Sequence, residues 1–315
     1  MTQSENQPLD PTEYNFWYAP EGMSLTTGEN TEYAIPEIPL PIKITDMPAT
    51  GAPTEKAIGD GIYEYLCRFP FCAHAAEYAR ILQQAYPFLI SDIGSQLILL
   101  DVKNVKPDAM ARKIALLKIL NHLEPENFGL LHKIGVANFD LALNYAELTR
   151  VKTHLKEARL WLEKARRAVP DDIANLNHLS QVCYLTGAYH QARLYWRIAA
   201  DQVEGDDNKE KLLERIAKID AGTLPERPLI ESLEELGAAL ELIGQEEYED
   251  ARLILNKLEV TGDLPAELPN PEFYYILGLS REKCHDLSGA YEAYNTVLKL
   301  DKDHHDAREA LGRIR

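Results

Sequence analysis

Two stretches of this chain, 98 residues apart, follow one helical template. In the later stretch, Leu277-Gly278 is followed by Ala290 twelve residues on, then by Tyr294 and Val297 at steps of four and three. In the earlier stretch, Leu179-Ser180 is followed by Ala192 at the same twelve, then by Trp196 and Ala199. Steps of three and four return a side chain to the same face of a helix. Each stretch therefore reads as two helices joined by a turn. Small residues at fixed places let a second helix axis approach to about 8–10 Å, and the aromatics fill the space beside the contact. Gly187, between the two halves of the earlier stretch, is expected to cap the first helix in the left-handed conformation, which glycine adopts without strain.

The template recurs less regularly elsewhere. "SLEELGAALELIGQEEYEDARLILNKLE" places Leu236-Gly237, Tyr248 and Ala251 on it, once two extra residues are allowed in the turn. "HLKEARLWLEKARRAVPDD" supplies Ala158, Leu162, Ala165 and Pro170, but Ile134-Gly135 stands 23 residues before Ala158 rather than twelve. The eleven extra residues are close to three helical turns, so the first helix of that unit is expected to lengthen without rotating its apolar face. A further lengthened unit covers residues 87–127, with Ile93-Gly94 near its start and Pro125 near its end, and a degenerate pair covers residues 54–86. "NKEKLLERIAKIDAG" reads as an extra helix between repeats, and "HDAREALGRIR" as a short terminal cap.

This pattern resembles the tetratricopeptide repeat family, whose 34-residue unit is a helix–turn–helix with a large residue, Leu-Gly, Tyr, Ala, an aromatic, Ala and Pro at set offsets. In the last unit Tyr274, Leu277, Gly278, Ala290 and Tyr294 match, while Val297 and Lys302 depart from the usual alanine and proline. In the earlier one Leu176, Leu179, Gly187, Tyr189, Ala192, Trp196 and Ala199 match, while Ser180 and Glu204 depart. The resemblance covers residues 87–304 well and residues 54–86 less fully. It implies an all-α fold: a right-handed α-solenoid of helix–turn–helix repeats, in which each pair buries its faces against its neighbours.

The resemblance also implies a groove lined by the first helix of each pair. Carried onto this sequence, the groove positions are His132, Lys133, Val136 and Phe139, then Asn177, His178, Gln181, Tyr184 and Leu185, then Tyr275, Ile276, Leu279 and Glu282. Such a list offers amides for a peptide backbone and apolar shelves for its side chains. The family's lysine–asparagine clamp for a C-terminal carboxylate is not matched: Asn177 stands where the clamp needs lysine, and Glu231, Glu234 and Glu235 make a neighbouring groove acidic.

Residues 1–53 differ in character. They hold eight of the 18 prolines and eight acidic residues against the single base Lys43, a net −7. "IPEIPLPIKITDMP" excludes a helix, because proline recurs too often. Pure disorder is poor in large apolar residues, yet this segment carries "YNFWYAP" and the series Ile35, Ile38, Leu40, Ile42 and Ile44. The reading is an extended, acidic, Pro-rich arm anchored through Phe16, Trp17, Tyr18, Ile38 and Leu40, on the repeats or on a neighbouring subunit, with self-association through the arm as one outcome. The remaining segments are 54–127, degenerate and lengthened helices; 128–221, repeats plus the extra helix; and 222–315, two repeats and the cap.

Composition narrows the function classes. The 315 residues carry a net charge of −17, a surface that repels phosphate backbones and disfavours nucleic-acid binding. No 18-residue apolar run marks a membrane span, and "MTQSENQPLDPTEYNF" is no signal peptide. Cys67, Cys72, Cys183 and Cys284 read as free thiols of a reducing, cytoplasmic protein. Cys67, Cys72 and His74 lack a fourth ligand at zinc spacing, and the acidic and histidine cluster at 301–306 reads as a solvated turn. No nucleophile elbow, phosphate loop or cofactor motif is present. The expectation is a non-enzymatic, cofactor-free and metal-free protein that binds a protein or peptide partner as a scaffold, adaptor or chaperone. The alternative is an assembly or regulatory subunit of an enzyme complex, docking through the arm.

Overall fold

A computed structural model describes residues 13–26, 32–102, 106–203 and 205–314. Among them are fifteen α-helices and four short strands. The chain forms two compact units, residues 1–137 and 138–315.

In the first unit the arm supplies all four strands: β1 (Tyr14–Trp17), β2 (Ser24–Thr26), β3 (Glu32–Ala34) and β4 (Leu40–Lys43). β1 pairs antiparallel with β4, setting Tyr14 opposite Lys43 and Trp17 opposite Leu40, and β2 pairs with β3. The helices that follow are α1 (Glu55–Arg68), α2 (Ala75–Ala85), α3 (Pro87–Val102) and α4 (Pro107–Leu123). Proline opens α3 and α4, and at Pro107 its missing N–H costs nothing. Thr54 caps α1 by accepting from the Ala57 amide at 3.2 Å.

The arm belongs to the core of this unit. β4 lies on α1, and the approach is so close that a Cβ on Gly61 would collide with the Pro41 carbonyl oxygen. Tyr14, Leu25, Leu40 and Ile42 are buried together with Ile58, Ile62 and Leu66 of α1 and with Tyr78 and Leu82 of α2. The Tyr78 hydroxyl donates to the Pro39 carbonyl. Two ion pairs tie the arm's edge to α1, Arg68 with Glu13 and Lys43 with Glu64.

α5 (Phe128–Ala142) crosses the division between the units. The second unit continues with a 3-10 turn (Tyr145–Arg150), then α6 (Val151–Ala168), α7 (Ile173–Leu185), α8 (Tyr189–Gln202) and α9 (Asp206–Asp220). It ends with α10 (Leu229–Gly244), α11 (Tyr248–Thr261), the short α12 (Asp263–Glu267), α13 (Pro271–Lys283), α14 (Leu287–Leu300) and α15 (His305–Arg313). α7 packs on α8, α10 on α11 and α13 on α14 as helical hairpins, α9 lies on α8, and α15 covers α14.

Two expectations about helix length are corrected. The eleven extra residues before α6 do not lengthen α5. Asn144 takes an extended backbone, its side chain accepts from the Ala146 amide at 3.0 Å, and the chain leaves the α-helix for the 3-10 turn. The two extra residues of the third hairpin lie in α10 and not in its turn. All three hairpin turns share one hydrogen-bond pattern: the amides of Ala188, Glu247 and Asp286 donate to the carbonyls five residues back at 2.8, 2.9 and 2.9 Å. The residue before each of these is left-handed, with φ of 78° at Gly187, 64° at Glu246 and 60° at His285. This is the closing motif of a helix that normally favours glycine, and two of the three turns adopt it without one.

Because α10 holds the extra pair of residues, its small positions face two ways. Ala239, seven residues before the left-handed Glu246, stands where Ser180 and Gly278 stand in the other hairpins, and all three are buried. Gly237 turns elsewhere, onto the backbone of the 3-10 turn, against which α10 packs.

Candidate functional site

A cleft of the second unit lies among the end of α5, α7, α8, α9, the start of α10 and the end of α12, and holds about 330 Å³. Its apolar wall is formed by Phe139 and Leu143, by Tyr184 and Leu185 of α7, by Trp196 of α8, and by Leu229 and Leu268. Gln181 adds an amide, and α9 lends Lys211, Glu214, Arg215 and Lys218. A second hollow of about 270 Å³ adjoins it and shares Leu143, Glu267 and Leu268, with Tyr145, Leu233 and Phe273 beyond.

Each wall residue is set by its neighbours. Trp196 is almost fully buried, and its indole N–H donates to Asn177 Oδ1 at 3.1 Å, so α7 fixes the ring that closes the cleft. The Arg215 guanidinium lies over that ring, 5.3 Å from its centroid, a cation–π contact that holds the charge at the rim. Lys218 Nζ donates to Glu267 Oε1 at 3.2 Å. Tyr184 meets Tyr189 edge-on with ring centroids 5.2 Å apart. Its hydroxyl is buried and makes no hydrogen bond of ordinary geometry. Burial first, and then the nearby Glu267 carboxylate, raises its ionisation well above the usual phenol range. Tyr184 is thus a neutral phenol that lines the cleft while its hydroxyl is shielded from solvent.

The expected groove residues fall into three places. Phe139, Gln181 and Tyr184, with Leu185, converge on the cleft. His178 lies edge-on to Phe139, ring centroids 6.0 Å apart, and Asn177 acts through Trp196. In the first unit, His132 stacks on Phe128 at 5.6 Å and Lys133 pairs with Asp101 at 3.8 Å. Tyr275 packs against Tyr294 and His304, and Leu279 is half-buried on α13; neither lines the cleft. The acidic neighbours are largely committed. Glu235 is gripped by Arg227 at 2.5 and 2.6 Å and by Lys257 at 2.8 Å, and Glu234 pairs with Lys152 at 2.7 Å. These partners, Arg227 foremost, hold the Glu235 carboxyl down to about 2.

Among the expected arm anchors, Leu40 is buried, and Trp17 and Ile38 are half-buried on the first core. Phe16 and Tyr18 depart from the expectation, standing 44% and 65% exposed. The strand pairing explains Tyr18, which lies just past the end of β1 with no partner residue in β4. Phe16 keeps an edge contact with Tyr65 at 5.6 Å while leaving much of its ring in solvent.

Sequence reasoning missed Lys211, Arg215, Leu143 and Leu268. The spacing of Lys211, Arg215 and Lys218 on α9 was the available signal, since steps of four and three share a face. The thiols carry no nucleophilic activation: burial pushes Cys183 up to about 11 and raises Cys67 and Cys72. His305, Asp306 and Glu309 come together on α15, all exposed. No described helix is long and apolar enough to cross a membrane. No family model matches this chain, and no curated protein sequence matches it.

Proposed function

We propose that this chain is a cytoplasmic protein-binding module, a scaffold, adaptor or chaperone built from tetratricopeptide-like repeats in an α-solenoid, whose cleft receives a segment of a partner protein. One observation carries the reading: Phe139, Gln181 and Tyr184, chosen by repeat position on two separate helices, line the same apolar cleft. Large aromatic walls with a few polar groups suit peptide recognition, because they give area at small entropic cost. Selection of a random displayed peptide library on the immobilised full-length chain tests this. Enrichment of binders that Gln181→Arg abolishes is the expected result; no enrichment, or binders indifferent to Gln181→Arg, would sink the proposal.

The reading as a non-catalytic assembly or regulatory subunit draws on a different feature, the exposed Phe16 and Tyr18 of the docked arm. Aromatic side chains left in solvent beside a buried strand are suited to contact another subunit. If that reading holds, Phe16→Ala with Tyr18→Ala removes a co-purifying complex that Gln181→Arg leaves intact.

A further inference from the structure

We infer that the cleft selects an acidic, apolar segment of its partner protein, whose carboxylates meet Lys211 and Arg215. This rests on the protein-binding reading above and adds the chemistry of the partner.

Charge is the first argument. In a chain of net −17, the cleft face of α9 brings three cations, Lys211, Arg215 and Lys218, against one carboxylate of its own, Glu214. The other carboxylate among the described lining residues, Glu267, is bonded to Lys218. The described lining residues therefore carry one net positive charge, against the sign of the whole molecule. Arg215 is held with its guanidinium over Trp196, and a fixed guanidinium matches a carboxylate with two parallel hydrogen bonds. Such a rim attracts acidic segments and turns basic ones away.

The second argument is the Tyr184 ring. It lines the cleft beside Phe139 and Trp196, and this aromatic wall suits apolar side chains of the segment. The third argument is shape. Two apolar hollows stand side by side, divided by Leu143, Glu267 and Leu268. A segment with two bulky apolar side chains fills both; a compact ligand fills one.

The test uses the full chain and two matched peptide libraries, both with random Leu, Ile, Phe and Trp positions. One carries a Glu pair among them and the other a Lys pair. Preferential binding of the Glu library is expected. The Lys211→Glu, Arg215→Glu double variant should weaken the selected Glu peptides about tenfold or more, as two lost charge contacts imply. The same variant should begin to bind the Lys library, which shows that it is folded. Equal binding of both libraries, or affinity unmoved by the charge reversal, overturns the inference while leaving the protein-binding reading intact. Binding of neither library, alongside binders from the random selection, does the same. A dimer in sedimentation that the charge reversal dissolves would assign the cleft to a second copy of the chain and overturn it.

Discussion

Gly237 faces the peptide between Leu148 and Thr149 so closely that a Cβ on it would stand 2.8 Å from the Leu148 carbonyl carbon and 2.9 Å from the Thr149 nitrogen. Both neighbours are backbone atoms, which cannot rotate away as a side chain can. This is where α10 meets the 3-10 turn that opens α6. Gly237→Ala should therefore destabilise the protein by about 1–3 kcal/mol through overpacking, although alanine is the better helix former. Gly244 is the control. It lies in the same helix, its added Cβ would meet nothing within 4 Å, and Gly244→Ala should stabilise by about 0.5–1 kcal/mol. Urea unfolding curves with unchanged slopes check both. A neutral Gly237→Ala would mean that the contact is not held in solution.

The three shared hairpin turns give a second prediction, because chemistry and geometry disagree in two of them. Glu246 and His285 hold the left-handed conformation at φ of 64° and 60°, which costs an L-residue roughly 1–2 kcal/mol. Glycine there relieves the strain but loosens the unfolded chain. Glu246→Gly and His285→Gly should each gain about 0.5–1 kcal/mol. Gly187→Ala should lose about 1 kcal/mol or more, since its Cβ would also press to 2.8 Å from Pro228 Cγ. Melting temperatures of the three variants decide the matter: a drop for either glycine substitution refutes the common turn.

These residues also show what could be read from sequence. The hairpins α7–α8 and α13–α14 were legible because their small and large residues obey helical periodicity, a local rule. α10 was not, because two residues placed inside a helix turn a small side chain to a new face, and the sequence does not record which partner waits there. Nor could the left-handed Glu246 and His285 be seen, since they carry no glycine to mark them. Within the cleft, Phe139, Gln181 and Tyr184 came from repeat position. Lys211 and Arg215 sit on a helix outside the three hairpins, where a row of cations looks the same whether it meets water or a pocket. The five residues of α12 are too few to show a period.

Glu235 makes stability depend on acid. Its carboxyl is lowered from 4.5 to about 2 by Arg227, with Lys257 adding to the effect. A folded value below the unfolded one means that the contribution is fully present above about pH 4.5 and is lost as pH falls toward 2. Glu235→Gln should be less stable than the parent at pH 7. The gap should narrow through that window and close at its acid end, where the parent's own carboxyl is protonated. Urea titrations at pH 7, 4 and 2.5 follow it. A gap that stays constant with pH would show that the pairs with Arg227 and Lys257 add nothing to stability.

The arm gives the last prediction. Leu40 and Ile42 are fully buried between β1 and α1, whereas Tyr18 stands in solvent. Cutting a buried branched side chain back to alanine removes its transfer energy and leaves a cavity, about 2–5 kcal/mol for leucine or isoleucine. Tyr18→Ala, by contrast, should stay within about 0.5 kcal/mol. The arm shares its core with Ile58, Ile62 and Leu66, so it should open together with α1 rather than before it. In native-state hydrogen exchange, the amides that pair β1 with β4 should then show the same opening free energy as those of α1, and Leu40→Ala should lower both by the same amount. Arm amides that exchange freely while α1 stays protected would show that the strands fray from the first unit, and the arm would then be free to serve a partner instead of the core.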